Sequence, residues 1–517
     1  MSLSRKHDTF NDSTLAMAVQ IFLQGKLLGI QEFLQAPAST SDAATHDRVF
    51  TGRSQWAALL SEILPRALLA ELGLSKVLLG TSGGGQFLLV LPEEFRDASN
   101  QFLEAAAKDI AALSAGAVRL LWSVTENLGD WSDVRKRLTE DMDRLRGTPA
   151  ASAAHTAEFF AAPMQAVAHA EEYFAEQIGW KLRDAESVGW SPEAPGRVMP
   201  VFGEKASKHT WSLTWGNADS IPFARHAAPN ENSTEPASTA DLAARSAGLP
   251  TWGVLRGDVD HFGIRIRRAQ TIEEHIQLAV MFKQFFAGEL EVLCSTPEFW
   301  QRVTVLYSGG DDFAVYGSWD ALLGVARELD RLFRRFAEQN LKDFVGPEGK
   351  TITMSLALAP ALDASIGTVF EEAGQRLEAA KSADKDCIWV LGRTLEWKQF
   401  AEASELKDSL MRMVTEFGCS PQYLRDLCGI YRETQTKVSR RQARRQGGER
   451  PWRYHRRIRR ILSASRAVRH TPARQRGEYE KARTALIADL IGRSAVTVKL
   501  RPAGRVALEW ARLAAEA

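Results

Sequence analysis

Four carboxylates in two short stretches carry the chemistry this sequence offers. In Val305-Leu306-Tyr307-Ser308-Gly309-Gly310-Asp311-Asp312-Phe313-Ala314-Val315-Tyr316, two β-type runs flank a Gly-Gly pair and two acids follow the glycines at once. That pattern predicts a tight hairpin with its acids at the tip. Glycine supplies the positive φ such a turn needs and lets a phosphate approach the backbone closely. Adjacent strand residues point to opposite faces, so Asp311 and Asp312 can share one metal only if the turn re-aims one of them. Taken alone, the stretch reads equally well as a solvated acidic turn. The second stretch, Trp252-Gly253-Val254-Leu255-Arg256-Gly257-Asp258-Val259-Asp260-His261-Phe262-Gly263, is an apolar run ending in an acidic pair. Three carboxylates converging from the two stretches, with Asp258 (or Asp260) as the third, suit Mg2+ or Mn2+, hard cations that prefer oxygen ligands. Two such ions can hold a nucleotide's phosphates and activate a hydroxyl for in-line attack. Asp258, Asp260, Asp311 and Asp312 are therefore the candidate metal ligands, and nucleotidyl transfer is the candidate reaction.

Those acids meet only if the chain between them folds back. A long amphipathic pattern, Ile272 to Leu293, separates the two stretches. A helix over Trp319–Asn340, a strand over Thr351–Leu358, a helix over Ile366–Ser382 and a strand over Cys387–Leu391 follow. The order β-α-β-β-α-β is the ferredoxin-like unit, in which the first strand lies beside the hairpin. An internal repeat supports this. Leu78–Val90 lines up with the hairpin, Ser82 meeting Ser308, Gly83-Gly84 meeting Gly309-Gly310 and Phe87 meeting Phe313. Gly85-Gln86 stands where the second copy has Asp311-Asp312. Upstream, Ala18–Gly25 resembles Val254–Gly257, with Lys26 at the place of Asp258. Helices over Ser54–Leu72 and Glu94–Leu113 and strands over Lys76–Gly80, Gln86–Leu91 and Ala117–Val124 complete the first copy. The expected fold class is α+β: two ferredoxin-like palms of polymerase or nucleotide-cyclase type, one with its acids and one without. A palm without carboxylates holds no metal, yet its turn (Ser82, Gly83, Gly84) can grip one nucleotide while Ser308, Gly309 and Gly310 position another. The alternative is that the first palm is only a scaffold.

With these motifs in order, the chain resembles the large signature subunit of type III CRISPR effector complexes, which has paired palm domains. Gly29-Ile30-Gln31-Glu32-Phe33 looks like that family's G-I-Q-x-F element and Thr51-Gly52-Arg53-Ser54 like its R-G-R-S element. Gly257–Gly263 is similar to D-V-D-N-L-G, and Ser308–Asp312 to the G-G-D-D turn. The resemblance implies that a target RNA, paired with a guide RNA, switches on synthesis of cyclic oligoadenylates from ATP. It implies catalytic roles for Asp258, Asp311 and Asp312, ATP contacts by Ser82 and Ser308, and Lys381 or Lys385 near a triphosphate. It also implies other effector subunits as partners, including small helical ones. Two departures stand out. The first palm starts within a few dozen residues and His7-Asp8 is isolated, so no HD-type DNase is expected. Cys294, Cys387, Cys419 and Cys428 form no C-x-x-C pair, so no structural zinc is expected.

A length of 517 residues suits about three to four units. The expected boundaries are a first palm over 1–148, an inter-palm helical and mixed region over 149–245, the catalytic palm over 246–394 and a helical basic domain over 395–517. Within the second unit, Ile221–Ser246 is polar and rich in Pro, Asn, Ser and Thr, and reads as a flexible linker. The net charge of +1 hides a basic stretch, Lys437–Arg469, where Arg453, Arg456, Arg457 and Arg460 accompany Trp452 and Tyr454. Arginine-rich helices with interleaved aromatics suit RNA, or an acidic partner subunit. No apolar run reaches membrane length, and the few cysteines fit a reducing cytoplasm. Two rival functions remain at this point. One is a diguanylate-cyclase-like enzyme using GTP, whose hairpin is related; the other is a catalytically silent scaffold that binds guide RNA.

Overall fold

The strand Trp252–Val259 (β8) is apolar at nearly every position, the signature of a strand covered on both faces. It lies inside a six-stranded sheet of order β13-β12-β11-β8-β10-β9. The others are Val303–Ser308 (β9), Asp312–Ser318 (β10), Ile352–Leu358 (β11), Cys387–Val390 (β12) and Arg393–Glu396 (β13). Every pairing is antiparallel except β11 with β12. One face, including Leu255, Phe313, Val315 and Met354, buries Phe282, Phe286 and Phe333 from the helices Ile272–Gln284 and Trp319–Asn340 and the π-helical turn that joins the first of these to Leu290–Cys294. The other face, including Trp252, Val254 and Ala314, takes the helix Ile366–Ala383 through Val369, Phe370 and Ala373. The computed structural model describes residues 19–38, 43–147, 169–190, 200–202, 209–214, 220–231, 233, 235–436, 451–464, 473–491 and 501–516.

The first palm repeats this plan with four strands in the order β2-β3-β1-β4. They are Gln20–Leu28 (β1), Leu79–Gly83 (β2), Gln86–Pro92 (β3) and Arg119–Glu126 (β4), with the helices Ala43–Glu71 and Arg96–Leu113 between them. The registers coincide. Lys26 faces Gln86 as Asp258 faces Asp312, and Gly25 faces Phe87 as Gly257 faces Phe313. A Cβ on Gly25 would stand 2.1 Å from the Phe87 ring, and one on Gly257 would stand 2.3 Å from the Phe313 ring. Both palms thus use a glycine in the central strand to let the aromatic ring after the turn lie flat across it. The sequence repeat is a repeat of packing as well as of pattern.

Three local expectations are corrected. The run Lys76–Gly80 opens as a short 3-10 turn, Lys76–Leu78, whose cap Ser75 accepts from the Val77 N–H, and the strand begins at Leu79. The polar stretch Ile221–Ser246 does not behave as a linker. Phe223, Ala224 and Ala228 are buried, the Val305 N–H donates to the His226 carbonyl at 2.8 Å, and the Ala228 N–H donates to Thr304 Oγ1 at 3.1 Å. The segment covers the open edge of β9, and the alanines within an otherwise polar composition supply the buried side. The positive φ expected at the catalytic turn occurs instead in the first palm. Gly83, Gly84 and Gly85 have φ of 120°, 59° and 73°, whereas Gly309 and Gly310 are absent from the left-handed region.

Between the palms, residues 170–181 are helical and Ser187–Trp190 (β5), Pro200–Phe202 (β6) and His209–Ser212 (β7) form a small sheet of order β6-β5-β7. The start of the expected helical and mixed region over 149–245, residues 149–168, lies outside the described residues. Beyond β13 the described chain is helical: Trp397–Thr415, Gln422–Thr436, Pro451–Ala464, Ala473–Ile491 and Pro502–Ala515. Gly257→Ala should lower stability by about 1–3 kcal/mol, because the added methyl has no room beside Phe313. Urea unfolding of the variant checks this.

Candidate active site between the palms

Asp258, the penultimate residue of the central strand, pairs in register with Asp312, the first residue of β10. The Val259 N–H donates to the Asp311 carbonyl at 2.9 Å, which pins the turn against the strand end. Gly309 serves this geometry sterically: its N–H donates to the Asp312 carbonyl at 2.7 Å, and a Cβ there would stand 2.1 Å from Asp312 Oδ1. The three acids are brought together with little to neutralise them. Burial, then Asp312 and Asp258, push the Asp311 carboxyl up to about 8. Burial raises Asp312, opposed by the hydrogen bond that the Tyr307 hydroxyl donates to its Oδ2 at 3.0 Å. Asp258 is pushed up to about 6 by burial, against the pull of Lys381, whose Nζ stands 2.9 Å from Asp258 Oδ2. Like charges gathered in a low-dielectric site hold one another toward protonation, and a polyvalent cation relieves all of them at once. The donor set is thus that of a hard-cation site. Among the described residues no three such ligands already converge on one point, since Asp258 leans to Lys381 and Asp312 to Tyr307. Loading a metal requires Asp258 to turn from the lysine.

Asp260, the alternative ligand, is fully engaged in hydrogen bonds in this structure. It is 1% exposed and its carboxylate is spent: Thr353 Oγ1 donates to Oδ1 at 2.7 Å, and Thr351 Oγ1 and the Asp386 N–H donate to Oδ2 at 2.7 and 2.9 Å. It ties the end of β8 to the start of β11 and to the loop before β12. Of the two candidate lysines, Lys381 reaches the acids from the helix Ile366–Ala383. Lys385 instead lines an outer cleft with Asp330, Arg334 and Lys398. The Ser308 Oγ is buried with no hydrogen-bond partner among the described residues, as a group waiting for a ligand would be.

The first palm's turn faces this site. The position of a Cβ on Gly84 lies 3.5 Å from the Gly310 N. Ser82 is engaged in a cluster that the sequence did not announce. Its Oγ donates to Glu62 Oε2 at 2.9 Å, Arg66 Nη1 reaches the same oxygen at 2.9 Å, and Lys283 Nζ reaches it at 2.5 Å. Lys283 belongs to the second palm's helix Ile272–Gln284, so the first palm's turn is completed by a residue of the other palm. Burial works against the Glu62 carboxylate, yet Lys283 and Arg66 outweigh it and hold its pKa below the usual range. Two cations on one acid leave a positive surplus beside three left-handed glycines. Arg256 is a further omission: it lies 4.0 Å over the Phe370 ring and reaches the Tyr307 hydroxyl, backing Asp312 from behind. Spacing cannot reveal Glu62, Arg66, Lys283, Arg256 or Tyr307, because each acts across helices or strands. The G-I-Q-x-F and R-G-R-S-like motifs turn out to be packing devices. Gly29 adopts φ 81° at a helix start, a Cβ on Gly52 would stand 1.8 Å from the Phe174 carbonyl, and Arg53 donates to the Phe33 and Ala36 carbonyls.

In the basic helix Pro451–Ala464, Ile458 and Leu462 are buried, while Arg456 and Arg460 are exposed and Arg457 is half-buried. The Arg453 side chain lies outside the described residues. No helix among the described residues is long and apolar enough to cross a membrane.

The sheet orders, the shared register and the facing turns define a paired-palm protein of the nucleotidyl-cyclase type of fold. Residues 251–389 match the family described as Cas10/Cmr2, second palm domain. A CRISPR system single-strand-specific deoxyribonuclease Cas10/Csm1 (subtype III-A) from Enterococcus italicus is 27% identical over 165 residues, 31% of this chain and 20% of that protein. The corresponding protein of Thermococcus onnurineus is 23% identical over 187 residues, 31% of this chain and 23% of its own length. The match therefore spans only about a fifth of each curated relative. Across the whole fold, an apo Csm1–Csm4 cassette superposes with a TM-score of 0.66 at 17% identity, covering 98% of this chain and 72% of that one. A Csm1–Csm4 cassette in complex with AMPPNP superposes with a TM-score of 0.61 at 18% identity, covering 81% of this chain and 64% of that one. Residues 251–389 thus carry a second palm domain like that of the Cas10/Cmr2 family, and the fold as a whole is that of the Csm1 chains.

Asp258 in β8 and Asp260 just beyond it should separate on mutation. Asp260→Ala leaves two hydroxyls and an N–H without their acceptor and should destabilise the fold by roughly 3–5 kcal/mol, whereas Asp258→Ala should cost far less in the same denaturation assay. A pH effect follows from Asp311. Its folded pKa of about 8 lies above the unfolded value of about 3.9, so the native state holds the extra proton between them and stability falls as pH rises through that window. Without divalent cations, Asp311→Asn should raise the melting temperature at pH 8, and the gain should vanish toward pH 4.

Proposed function

We propose that this chain is the large subunit of an RNA-guided type III CRISPR complex and that its paired palms convert ATP into cyclic oligoadenylates when a target RNA is bound. The observation that carries this reading is the in-register pairing of Asp258 with Asp312, with Asp311 beside them and the first palm's glycine turn facing the site. Csm1–Csm4 cassettes that share the fold are described in complex with AMPPNP, with ATP and with cyclic oligoadenylates, which supports adenine nucleotides as the substrate class.

In this reading Asp258, Asp311 and Asp312 hold Mg2+ or Mn2+, which supplies charge neutralisation on phosphate oxygens and lowers the pKa of an attacking hydroxyl. The chain's own groups do the rest. Ser82 and the Gly83-Gly84 backbone grip one nucleotide, with Arg66 and Lys283 offering positive charge to its phosphates. Ser308 and the Gly309-Gly310 backbone take the other. Lys381, which pairs with Asp258 here, would offer its ammonium to the triphosphate of the second nucleotide. Holding both nucleotides between two rigid sheets turns a bimolecular attack into an oriented one. Tyr307 and Arg256 favour the ionised form of Asp312 against its burial and hold it aimed. The exposed arginines Arg456 and Arg460, with Arg453 and Arg457, are assigned to guide or target RNA or to a neighbouring subunit.

The test is incubation of the assembled complex with labelled ATP and Mg2+ or Mn2+, with and without complementary target RNA, and resolution of the products by mass. Target-dependent cyclic adenylates are the expected result; a cyclic dinucleotide formed from GTP would instead assign the chain to diguanylate chemistry. Combined Asp311→Ala and Asp312→Ala should reduce ATP conversion by at least about 100-fold while the complex still assembles, because these side chains form a site and little core. Full synthesis by the double variant would refute the metal assignment.

A further inference from the structure

At one position of the fold the two palms carry opposite charge. The strand residue beside the turn is Asp258 in the second palm and Lys26 in the first. The equivalence reaches the backbone, where the Leu27 N–H donates to the Gly85 carbonyl at 2.7 Å as the Val259 N–H donates to the Asp311 carbonyl at 2.9 Å. It extends to the covering helices. Phe22 shares a strand face with Lys26 and packs on Trp131 of the helix Trp131–Gly147. Val254 shares a face with Asp258 and packs under Ile366–Ala383. Each helix carries a cation in its last turn, Lys381 in the second palm and Arg146, the one that acts on Lys26, in the first.

In the second palm acid and cation pair, with Lys381 Nζ 2.9 Å from Asp258 Oδ2. In the first palm the same two places hold two cations. No carboxylate among the described residues comes within ion-pair reach of Lys26. Asp143, on the covering helix, is exposed and pairs with Arg146 at 3.6 Å. Burial, then Arg146, hold the half-buried Lys26 ammonium below the usual lysine range, against Asp143 and Asp311. Like charges held together in this way are relieved by an anion, as the acids of the other palm are by a metal. The turn beside them offers a seat. Gly83, Gly84 and Gly85 have positive φ and leave the backbone open to close approach by a phosphate. On the Gly83 side a Cβ would stand 3.9 Å from Lys283 Cδ, and on the Gly85 side the turn is bonded to the strand end that carries Lys26. Cations from different elements thus flank it. We propose that Lys26 and Arg146 are phosphate-binding residues, and that the first palm's turn holds the triphosphate of a nucleotide by fixed cations, without a divalent metal. This rests on the reading that the facing turns take nucleotides, and it adds what holds the phosphates of one of them. The two nucleotides then differ in what they need: the one at the acids requires a metal, and the one at Lys26 does not.

Equilibrium binding of ATP to the full chain in EDTA tests this, because without a divalent cation no turnover competes and the second palm's acids repel phosphate. The expected result is saturable binding, tighter for ATP than for 5′-AMP, that weakens at least about tenfold in Lys26→Ala and in Arg146→Ala, one decade of affinity each. Lys26→Arg, which keeps the charge, should retain it and guards against a folding defect. Hydrogen–deuterium exchange under the same conditions should slow in peptides covering residues 25–29 and 80–86. The Asp311→Ala, Asp312→Ala double variant should bind ATP in EDTA no more weakly than the native chain. No binding at about 10 mM ATP, 5′-AMP bound as tightly as ATP, affinity unchanged in both alanine variants, slowing confined to residues 306–314, or binding lost in the double variant would overturn the proposal. Cyclic adenylate synthesis is read separately, by product mass with metal present. Its absence beside metal-free binding of this pattern would sink the reaction and leave this site standing; its presence without metal-free binding would do the reverse.

Discussion

Three half-buried carboxylates held against one another are what the rest of this structure must withstand. Asp258, Asp311 and Asp312 repel, and burial removes the water that would screen them. A single ammonium, Lys381, and one phenol, Tyr307, answer them within hydrogen-bonding distance. The site stays assembled because its backbone is fixed elsewhere. Asp312 and Asp258 are locked in register by a ladder whose core residues are fully buried. Asp260, two residues beyond Asp258, uses its carboxylate to fasten the strand end. One acid is spent on holding the strand, while its neighbour two residues away pairs with Lys381 at the mouth of the turns.

The first palm shows the same scaffold with the electrostatic problem removed. Lys26 and Gln86 occupy the positions of Asp258 and Asp312, so the sheet needs no counter-cation, and burial holds Lys26 below the usual lysine range. The charge reappears one layer away. Glu62, with Arg66 and Lys283 on it, sits under Ser82 and the left-handed glycines, and Lys283 comes from the other palm. A buried acid with two cations is costly to break, since removing one partner leaves charge stranded in the interior. The cluster consequently acts as a hinge pin: it fixes the distance between a turn that can cradle phosphate and a turn that carries acids. The polar segment along β9 and the helix Ile366–Ala383 against Phe50 hold the same pair of palms from the opposite side.

Much of this was legible in the residues alone. The strand–helix order, the repeat and the pairing of Lys26 with Asp258 as equivalents all follow from periodicity and alignment, because a period of two or of 3.6 is a local property. Helix bounds at Trp319–Asn340 emerge intact, since an apolar stripe and its flanking strands leave little freedom. The glycines at 309 and 310 were legible as a turn but not in their purpose: Gly309 makes room for the Asp312 carboxylate and does not supply a positive φ. Nor could composition show that the segment after Ile221 is packed, because its buried side is built from alanines and a few aromatics whose partner, the edge of β9, lies some eighty residues away in sequence.

By itself, the sequence determined that this protein has two palms, that one of them carries acids, and which strand those acids end. These are consequences of residue order, fixed by side-chain periodicity and turn chemistry. Only the tertiary structure shows what each of these groups holds: Asp258 pairs with Lys381, Asp260 accepts from Thr351 and Thr353, and Glu62, Lys283, Tyr307 and Arg256 come near the two turns. The reason is that a carboxylate's role depends on what its oxygens already hold and on how much water is left around it. Both are set by residues far away in the chain, brought to within 3 Å by packing that no local pattern encodes.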